Sequence, residues 1–330
     1  MAGPLRLVIG AAAAVLVFFL PGLLGGSSAI YSAFVLIAIF AAMAYGLDII
    51  VSDLGEVSLA HPVFFGAGAY ATALTATRLG FGPMAALGAT LVVSLVLAGV
   101  LGLVTLRLRE FVFSLVTYAV TVIAFTVAEN WSFLGGSDGV RGIPPFVIEA
   151  LGLSAVRDRE LWPVAYALLI VVLYFVHRFR RSRLGTAAMM VHLNPRLATM
   201  SGTDPQRTRL LVLLCSAPIT ASAGWLYAYQ RAFISADVID TYFLILMLTA
   251  VVLVGRRLLF GPLIGVALIM VQEKFFSFGG YVDKILLGSV LIAVLAFMPS
   301  GLIGLVDLAR GWIAPRPAAS PEHSLQESRP

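Results

Sequence analysis

Ten long apolar segments follow one another along the chain and leave little sequence between them. A helix needs about 20 apolar residues to cross the hydrocarbon core of a bilayer. The segments are unbroken, whereas a membrane barrel alternates apolar and polar residues in segments of about ten. The pattern therefore predicts an all-α polytopic membrane protein with about ten transmembrane helices. The segments are Leu7–Leu24, Ala29–Val51, Val57–Thr77, Met84–Leu106, Phe111–Ala128, Leu161–His177, Leu210–Tyr229, Thr241–Val254, Leu263–Lys274 and Ile285–Leu305.

The composition excludes a soluble enzyme of ordinary type. Of the 330 residues, 60% are hydrophobic and 12% are charged. Soluble domains are about 45–50% apolar and about 25% charged. Too few polar side chains remain to cover a surface that faces water. We therefore expect a transmembrane domain over residues 1–305 and little sequence for a catalytic domain.

The first and the last parts of this domain need separate interpretation. Leu7–Leu24 follows Arg6 like the apolar core of a signal peptide, but no small-residue cleavage motif ends it, so we expect it to be retained. Thr241–Val254 and Leu263–Lys274 are short for a span. Glycine, arginine and proline separate these two segments, which predicts short or broken helices in the C-terminal half, buried in protein.

The arginines indicate the sidedness of the chain. The loop 178–209 carries seven arginines and one acid, whereas Glu129–Glu160 carries five acids and three arginines. Because Lys and Arg are retained on the cytoplasmic side, we expect the loop 178–209 inside and Glu129–Glu160 outside. Ten spans then put both termini in the cytoplasm. The tail 306–330 is rich in Pro, Ala, Ser and Glu, which predicts disorder.

Several kinds of chemistry lack their motifs. The chain has no phosphate-binding P-loop, no H-E-x-x-H, no C-x-x-C and no G-x-S-x-G, and its four histidines are scattered. We therefore expect no catalytic residues, no metal site and no cofactor in this chain. The net charge of +5 comes from arginines at the ends of apolar segments, so we expect no nucleic-acid partner. Cys215, the single cysteine, is expected to be a buried apolar side chain.

Three acids lie around the junction of the second and third segments. Asp48, Asp53 and Glu56 are either part of a solvated turn or are buried and functional. For Asp53 and Glu56 the solvated turn is the more common situation. Asp48 stands among apolar neighbours, so burial is favoured there. If Asp48 faces the bundle interior, we expect it to pair with an arginine at a helix end or with a cationic group on a solute.

Three further features have two interpretations each. Gly66 and Gly68 allow either close helix packing, which is more common, or access of a solute to the backbone. The glycine-rich loop Trp131–Glu160 either caps the mouth of a pore or is a loose connection. The loop 178–209 is either a topology anchor or a docking site, since Leu184–Met200 looks helical with breaks at Gly185 and Asn194-Pro195.

The series of motifs resembles the permease subunits of branched-chain amino-acid ABC importers. Gly55–Tyr70, which reads GEVSLAHPVFFGAGAY, is similar to the family's GQLSLGHAAFFGIGAY, and Gly135–Pro144, which reads GGSDGVRGIP, is similar to its GGSDGLSGIP. Further matches are Arg181–Gly185, Asn194, Gly202, Gly224–Ala228, Phe233–Ser235 and Gly261-Pro262. The order and spacing hold from about residue 40 to 305.

The resemblance implies a permease of the bacterial inner membrane that works with a second homologous permease, two cytoplasmic ATPases and an extracytoplasmic solute-binding protein. ATP and Mg would bind to the ATPases, and the solute would pass between the two permeases. It implies three sets of residues. The translocation path is Asp48, Glu56, Ser58, His61, Phe65, Gly66, Gly68 and Tyr70; the ATPase coupling residues are Arg183, Gly185, His192, Asn194 and Gly202; the outer-loop residues are Gly136, Ser137, Asp138 and Gly139.

The chain departs from the family at several of these positions. Asp48 and Glu56 stand where the family usually has Asn and Gln, and His192-Leu193 stand where it often has Arg-Glu. The extra acids suggest a cationic solute, or urea or a short amide, in place of a branched-chain amino acid. Two other classes stay open: a secondary transporter driven by an ion gradient, and a membrane enzyme that uses His61 with Asp48 or Glu56.

Overall fold

A computed structural model of the protein describes residues 3–105, 108, 110–148, 152–275, 281–297 and 301–302. The described residues form twelve α-helices and four short strands. The helices are α1 (Gly3–Leu23), α2 (Ser28–Asp48), α3 (His61–Arg78), α4 (Pro83–Thr105), α5 (Glu110–Asn130), α6 (Asp158–Arg180), α7 (Arg183–Leu193), α8 (Pro195–Met200), α9 (Pro205–Arg231), α10 (Thr241–Val254), α11 (Gly261–Phe275) and α12 (Tyr281–Phe297). The strands are β1 (Val140–Arg141), β2 (Phe146–Ile148), β3 (Leu153–Ala155) and β4 (Phe233–Ile234).

The helices agree with the sequence prediction of a helical membrane protein. Within the described residues, each of the ten predicted apolar segments overlaps one α-helix, and α7 and α8 lie between the sixth and seventh segments. Six elements in the described ranges are long and apolar enough to cross a membrane: Ser28–Leu54, Pro83–Thr105, Phe111–Asn130, Asp158–Arg180, Pro205–Arg231 and Ala236–Val254. The predicted disordered tail 306–330 lies outside the described residues.

Helices α2, α3 and α9 form the centre of the bundle. In the most apolar window, 83% of the α2 region and 72% of α9 are buried, whereas only 22% of α4 and of α5 are buried. Peripheral helices with exposed Leu, Val and Ile faces suit a lipid or protein environment and not water. Buried polar side chains lie on the central helices, such as Asp48, His61 and Ser216, and also on the inward faces of α4 and α5, such as Thr90 and Thr117.

A π-helix, Ile49–Leu54, continues α2. Its wider turn is a rare geometry that is frequent at functional sites. The π-helix ends at Gly55, whose φ of 76° is left-handed and favours glycine. Residues 56–60 then lead to α3, which begins four residues later than the predicted segment because this stretch is not helical.

The connection between α5 and α6 is folded. Strand β1 pairs antiparallel with β4, with Val140 opposite Ile234, and β2 pairs antiparallel with β3. Phe146 is buried and its ring packs edge-on against Trp225 and Tyr229 of α9. The alternative of a loose connection is therefore wrong for the described part of this loop. We call the loop 131–157 together with β4 the loop end of the bundle.

The predicted short helices of the C-terminal half are confirmed. Helix α10 has 14 residues and α11 has 15. They are joined by residues 255–260, where Gly255 has φ 137° and Arg257 has φ 62°. A re-entrant path for these helices stays a prediction.

This connection meets the end of α2, because the Tyr45 hydroxyl donates a hydrogen bond of 2.6 Å to the Leu259 carbonyl. We call Asp48–Glu56, Arg180–Arg209 and Gly255–Leu259 together the charged end.

Candidate transport site and coupling helices

A buried charge cluster lies where α2 becomes the π-helix. Arg180, the last residue of α6, reaches both acids there: its Nη2 is 2.6 Å from Asp48 Oδ2 and its Nε is 3.0 Å from Asp53 Oδ2. The Arg257 Nε lies 3.3 Å from Asp53 Oδ1, and Ser52 Oγ donates a 2.5 Å hydrogen bond to Asp48 Oδ1. Two carboxylates and two guanidinium groups therefore balance within one cluster.

A second buried ion pair lies beside this cluster. The Arg209 Nε is 2.5 Å from Glu56 Oε1, and the two side chains are 14% and 7% exposed. Asp53 is fully buried as well. The solvated-turn interpretation of Asp53 and Glu56 is therefore wrong, because both acids are enclosed by protein and paired with arginines. For Asp48, the predicted pairing with a helix-end arginine is confirmed.

The start of α3 carries a buried polar chain. The His61 Nδ1 is 3.1 Å from Ser58 Oγ, and its Nε2 is 2.9 Å from Ser216 Oγ of α9. His61, Ser58 and Ser216 have no exposed surface. Both ring nitrogens are thus engaged by hydroxyl groups and not by a carboxylate, which an acid–base pair would need. The geometry therefore gives the membrane-enzyme alternative no support.

The glycines of the same stretch lie at close helix contacts. A Cβ atom on Gly68 would be 2.2 Å from the Ala221 carbonyl oxygen of α9, and one on Gly224 would be 2.0 Å from the Phe65 carbonyl oxygen. A Cβ atom on Gly66 would be 2.4 Å from the Ile239 Cγ1 atom. Small residues let helix backbones approach closely within membranes. The packing interpretation of Gly66 and Gly68 is the one that this geometry supports.

Aromatic rings fill the space next to these glycines. The Phe65 ring centroid is 5.2 Å from that of Tyr227 and 5.4 Å from that of Phe243, and Phe40 joins the same cluster. Tyr70, one turn further on, is also buried. Of the predicted path residues, His61, Phe65 and Gly68 therefore contact α9 of the same chain, and Gly66 faces Ile239. Their role in passing a solute stays a prediction.

The predicted coupling residues shape the two short helices α7 and α8. Ser182 caps α7 by accepting a hydrogen bond from Gly185 N, and a Cβ on Gly185 would be 2.2 Å from the Phe179 carbonyl oxygen. Gly185 therefore permits a tight corner between α6 and α7 and does not break the helix. Asn194 ends α7 and caps α8, so the predicted break at Asn194-Pro195 is confirmed. Arg183 is exposed, and Gly202, with φ 80°, follows α8.

His192 brings α7 to the end of the π-helix. A Cβ on Gly55 would lie 1.5 Å from the His192 Nδ1, so the ring lies directly against the Gly55 backbone. The exposed side of α7 and α8 carries Leu193, Leu197 and Met200, which are 75%, 59% and 85% exposed. Apolar side chains this exposed beside arginines are typical of a surface that docks on another protein.

The predicted outer-loop residues form a tight turn before β1. Gly136, Ser137 and Asp138 make a single 3-10 turn, and Gly139 follows with φ 66°. A Cβ on Gly139 would be 2.4 Å from the Ile234 carbonyl oxygen of β4. Gly139 is therefore required by the close approach of the loop to the strand after α9.

Sequence reasoning missed four members of these clusters. Ser216, Arg209 and Arg257 had no assigned partner, and Arg180 was counted only as a topology arginine. A buried carboxylate needs a cationic or hydrogen-bonding partner, so the three acids were the available signal. Which arginine pairs with which acid depends on how α6, α9 and the 255–260 connection pack together. The spacing of residues in the sequence does not predict that packing.

Comparisons with known proteins agree with this architecture. The family described as "branched-chain amino acid transport system / permease component" matches residues 29–295. The chain belongs to this family.

The family's curated members include two relatives that are both named high-affinity branched-chain amino acid transport system permease protein LivM. The chain is 25% identical to the Salmonella typhimurium protein and 24% identical to the Escherichia coli protein. Each alignment covers 80% of this chain and 68% of the relative. No solved structure matches the chain significantly. The resemblance read from the motifs is therefore confirmed at the level of the family.

Proposed function

We propose that this chain is the membrane-spanning permease subunit of an ATP-driven importer of branched-chain amino acids. The observation that carries the proposal is the family match over residues 29–295. In this proposal the chain crosses the bacterial inner membrane ten times, with both termini and the charged end in the cytoplasm. The seven arginines of the loop 178–209 support this orientation.

The assembly that we propose contains four further subunits. A second homologous permease pairs with this chain, two cytoplasmic ATPases bind ATP and Mg, and an extracytoplasmic solute-binding protein delivers the solute to the loop end. The exposed apolar residues of α7 and α8 support docking of an ATPase at the charged end. ATP binding moves an equilibrium between inward-open and outward-open states only by its differential affinity for the two.

The arrangement of the acids bears on the solute. Asp48 and Asp53 are paired with Arg180, and Glu56 is paired with Arg209. Carboxylates neutralised by arginines of the same chain do not attract a cationic solute as free carboxylates would. The cationic-solute alternative therefore loses its support, and a branched-chain amino acid stays the better proposal.

The test is uptake by the complete assembly in vesicles. Vesicles that contain both permeases, both ATPases and the binding protein should accumulate radiolabelled leucine, isoleucine or valine only with ATP and Mg. A matched assembly whose ATPases lack the P-loop lysine should give background uptake. Uptake that survives without the ATPases but collapses with an uncoupler would overturn the proposal in favour of a secondary transporter.

A further inference from the structure

The corner between α6 and α7 connects the coupling helices to the charge cluster. Arg180 ends α6 and Arg183 begins α7, so only two residues separate them. The Phe179 carbonyl accepts a 2.7 Å hydrogen bond from Ser182 Oγ and faces Gly185 at a distance that excludes a side chain. Because the corner is closely packed, a displacement of α7 carries the Arg180 backbone with it.

Arg180 is the bridge within the cluster. Its guanidinium contacts Asp48 at the end of α2, Asp53 within the π-helix and, through a 3.1 Å hydrogen bond from Nη1, the Arg257 carbonyl before α11. Three elements of the chain are therefore held by one side chain. The planar fork of arginine, with its five N–H donors, suits such a multiple contact, whereas a lysine ammonium does not reproduce it.

The π-helix is the element whose conformation can change when α7 moves. Helices with i→i+5 bonds are rare and lie close to α-helical geometry, so a small change in backbone pairing converts one into the other. Both ends of Ile49–Leu54 touch the coupling region: Arg180 holds Asp48 at the start, and His192 lies on Gly55 at the finish. Changes at packed junctions of this kind occur between discrete arrangements.

We propose that Arg180 and His192 are the positioning residues through which α7 sets the conformation of the π-helix at the end of α2. This inference rests on the proposed function, since it assigns the movement of α7 to the ATPase that docks there. Arg180 acts through its ion pairs with Asp48 and Asp53, and His192 acts through its contact with Gly55. Neither residue touches the solute in this scheme, and both act on the π-helix at the end of α2.

The first experiment measures solute transported per ATP hydrolysed in the complete assembly in vesicles. Arg180→Gln and His192→Ala should each lower uptake at least tenfold while ATP hydrolysis stays within about twofold. Arg180→Lys should fall between Arg180→Gln and the wild type. The matched control is Arg159→Gln, because Arg159 lies at the opposite end of α6 and faces the Tyr31 ring. The number of solute molecules transported per ATP hydrolysed should be the same in this variant as in the wild type.

The second experiment needs no variant of this chain and so does not depend on the folding of such a variant. The unsubstituted chain is assembled with hydrolysis-deficient ATPases, and its hydrogen exchange is measured with and without ATP. Exchange should change at the amides of residues 49–56 and stay constant at residues 146–148. Unchanged exchange at residues 49–56 would overturn the inference, as would an unaltered transport ratio in Arg180→Gln. If the wild-type assembly shows no ATP-dependent uptake at all, the proposed function fails and not this inference alone.

Discussion

At the charged end, long charged side chains join α2, α6, α9 and the 255–260 connection, whereas at the loop end backbone hydrogen bonds and glycines join the loop to α9. Arg180 reaches two carboxylates and a carbonyl through its own flexible side chain. Val140 pairs with Ile234 through the main chain, and Gly139 lies where no side chain fits. Both ends are held by contacts between distant parts of the chain. At the charged end these contacts are made by long side chains, and at the loop end they are made by the backbone.

The difference teaches which end can change its shape. A guanidinium can exchange one acceptor for another with modest movement, because its donors point in several directions. The backbone pairing of β1 with β4 and the close contact of Gly139 each exist in one geometry only. Both contacts are lost when the backbone moves out of that geometry. The charged end therefore suits rearrangement, and the loop end suits a fixed surface. The predictions below probe this contrast, from the largest expected effect to the smallest.

The largest effect is expected at the second ion pair of the charged end. Arg209→Met removes the arginine that pairs with the nearly buried carboxylate of Glu56. Removing one partner of a buried ion pair costs about 3–5 kcal/mol. The free energy of unfolding, measured with denaturant in detergent micelles, should fall by that amount.

The double variant Arg209→Met with Glu56→Gln serves as the control for this loss. It removes the uncompensated charge and should recover at least half of the lost stability. A double variant no more stable than Arg209→Met would show that packing and not charge governs this pair.

A smaller effect is expected at the loop end. Gly139→Ala combines a positive-φ backbone, φ 66° and ψ −173°, with a Cβ 2.4 Å from the Ile234 carbonyl oxygen. Gly142→Ala is the control for positive φ, because Gly142 has φ 76° and open space around it. Both substitutions cost about 1–3 kcal/mol for the backbone conformation. Gly139→Ala should cost about 1–3 kcal/mol more through the clash.

Limited proteolysis gives an independent measure of the same contrast. The loop 131–157 should be cut faster in Gly139→Ala than in Gly142→Ala, since only the former separates β1 from β4. Equal cleavage rates in the two variants would contradict the close approach of the loop to β4.

The smallest effect is expected for an exposed contact of the loop end. Arg78 donates a 2.7 Å hydrogen bond to the Phe133 carbonyl and its guanidinium stacks 4.6 Å from the Phe133 ring centroid. Exposed cation–π contacts contribute about 0.5–1 kcal/mol. Arg78→Gln should lower the free energy of unfolding by about 1 kcal/mol and leave uptake unchanged. If Arg78→Gln lowered the free energy of unfolding as much as Arg209→Met does, the proposed difference between the two ends would be wrong.

The sequence predicted the helices well because lipid imposes long apolar segments, and these are visible without any tertiary information. It missed the π-helix Ile49–Leu54, since the same apolar residues suit either kind of turn. Strands β1 and β4 have two residues each, too few for a detectable alternation. Their pairing depends on where α9 ends, which is set by packing and not by local preference.

The candidate site shows the same division. The motif Gly55–Tyr70 marked a region where Gly68 packs against α9 and Glu56 pairs with Arg209, and the role of its residues in passing a solute stays a prediction. Asp53 and Glu56 were assigned to a solvated turn because acids near a helix end are usually hydrated. Both acids are buried because arginines on α6, α9 and the 255–260 connection pair with them. These arginines are distant in the sequence, so the sequence alone does not show that they lie next to the acids.

The distance along the chain between Asp48 and Arg180 has a consequence for biogenesis. The two residues are 132 positions apart, so α2 leaves the ribosome long before α6. At about 5–20 residues per second, roughly 7–26 s pass before the arginine is made. During insertion α2 and the π-helix that continues it carry Asp48 and Asp53 before Arg180 is made, whereas an acid at a helix centre would cost about 2.5–3.5 kcal/mol. Asp48 ends α2 and Asp53 follows it, so both acids lie at one end of a strongly apolar segment, where this cost is lower than at the centre.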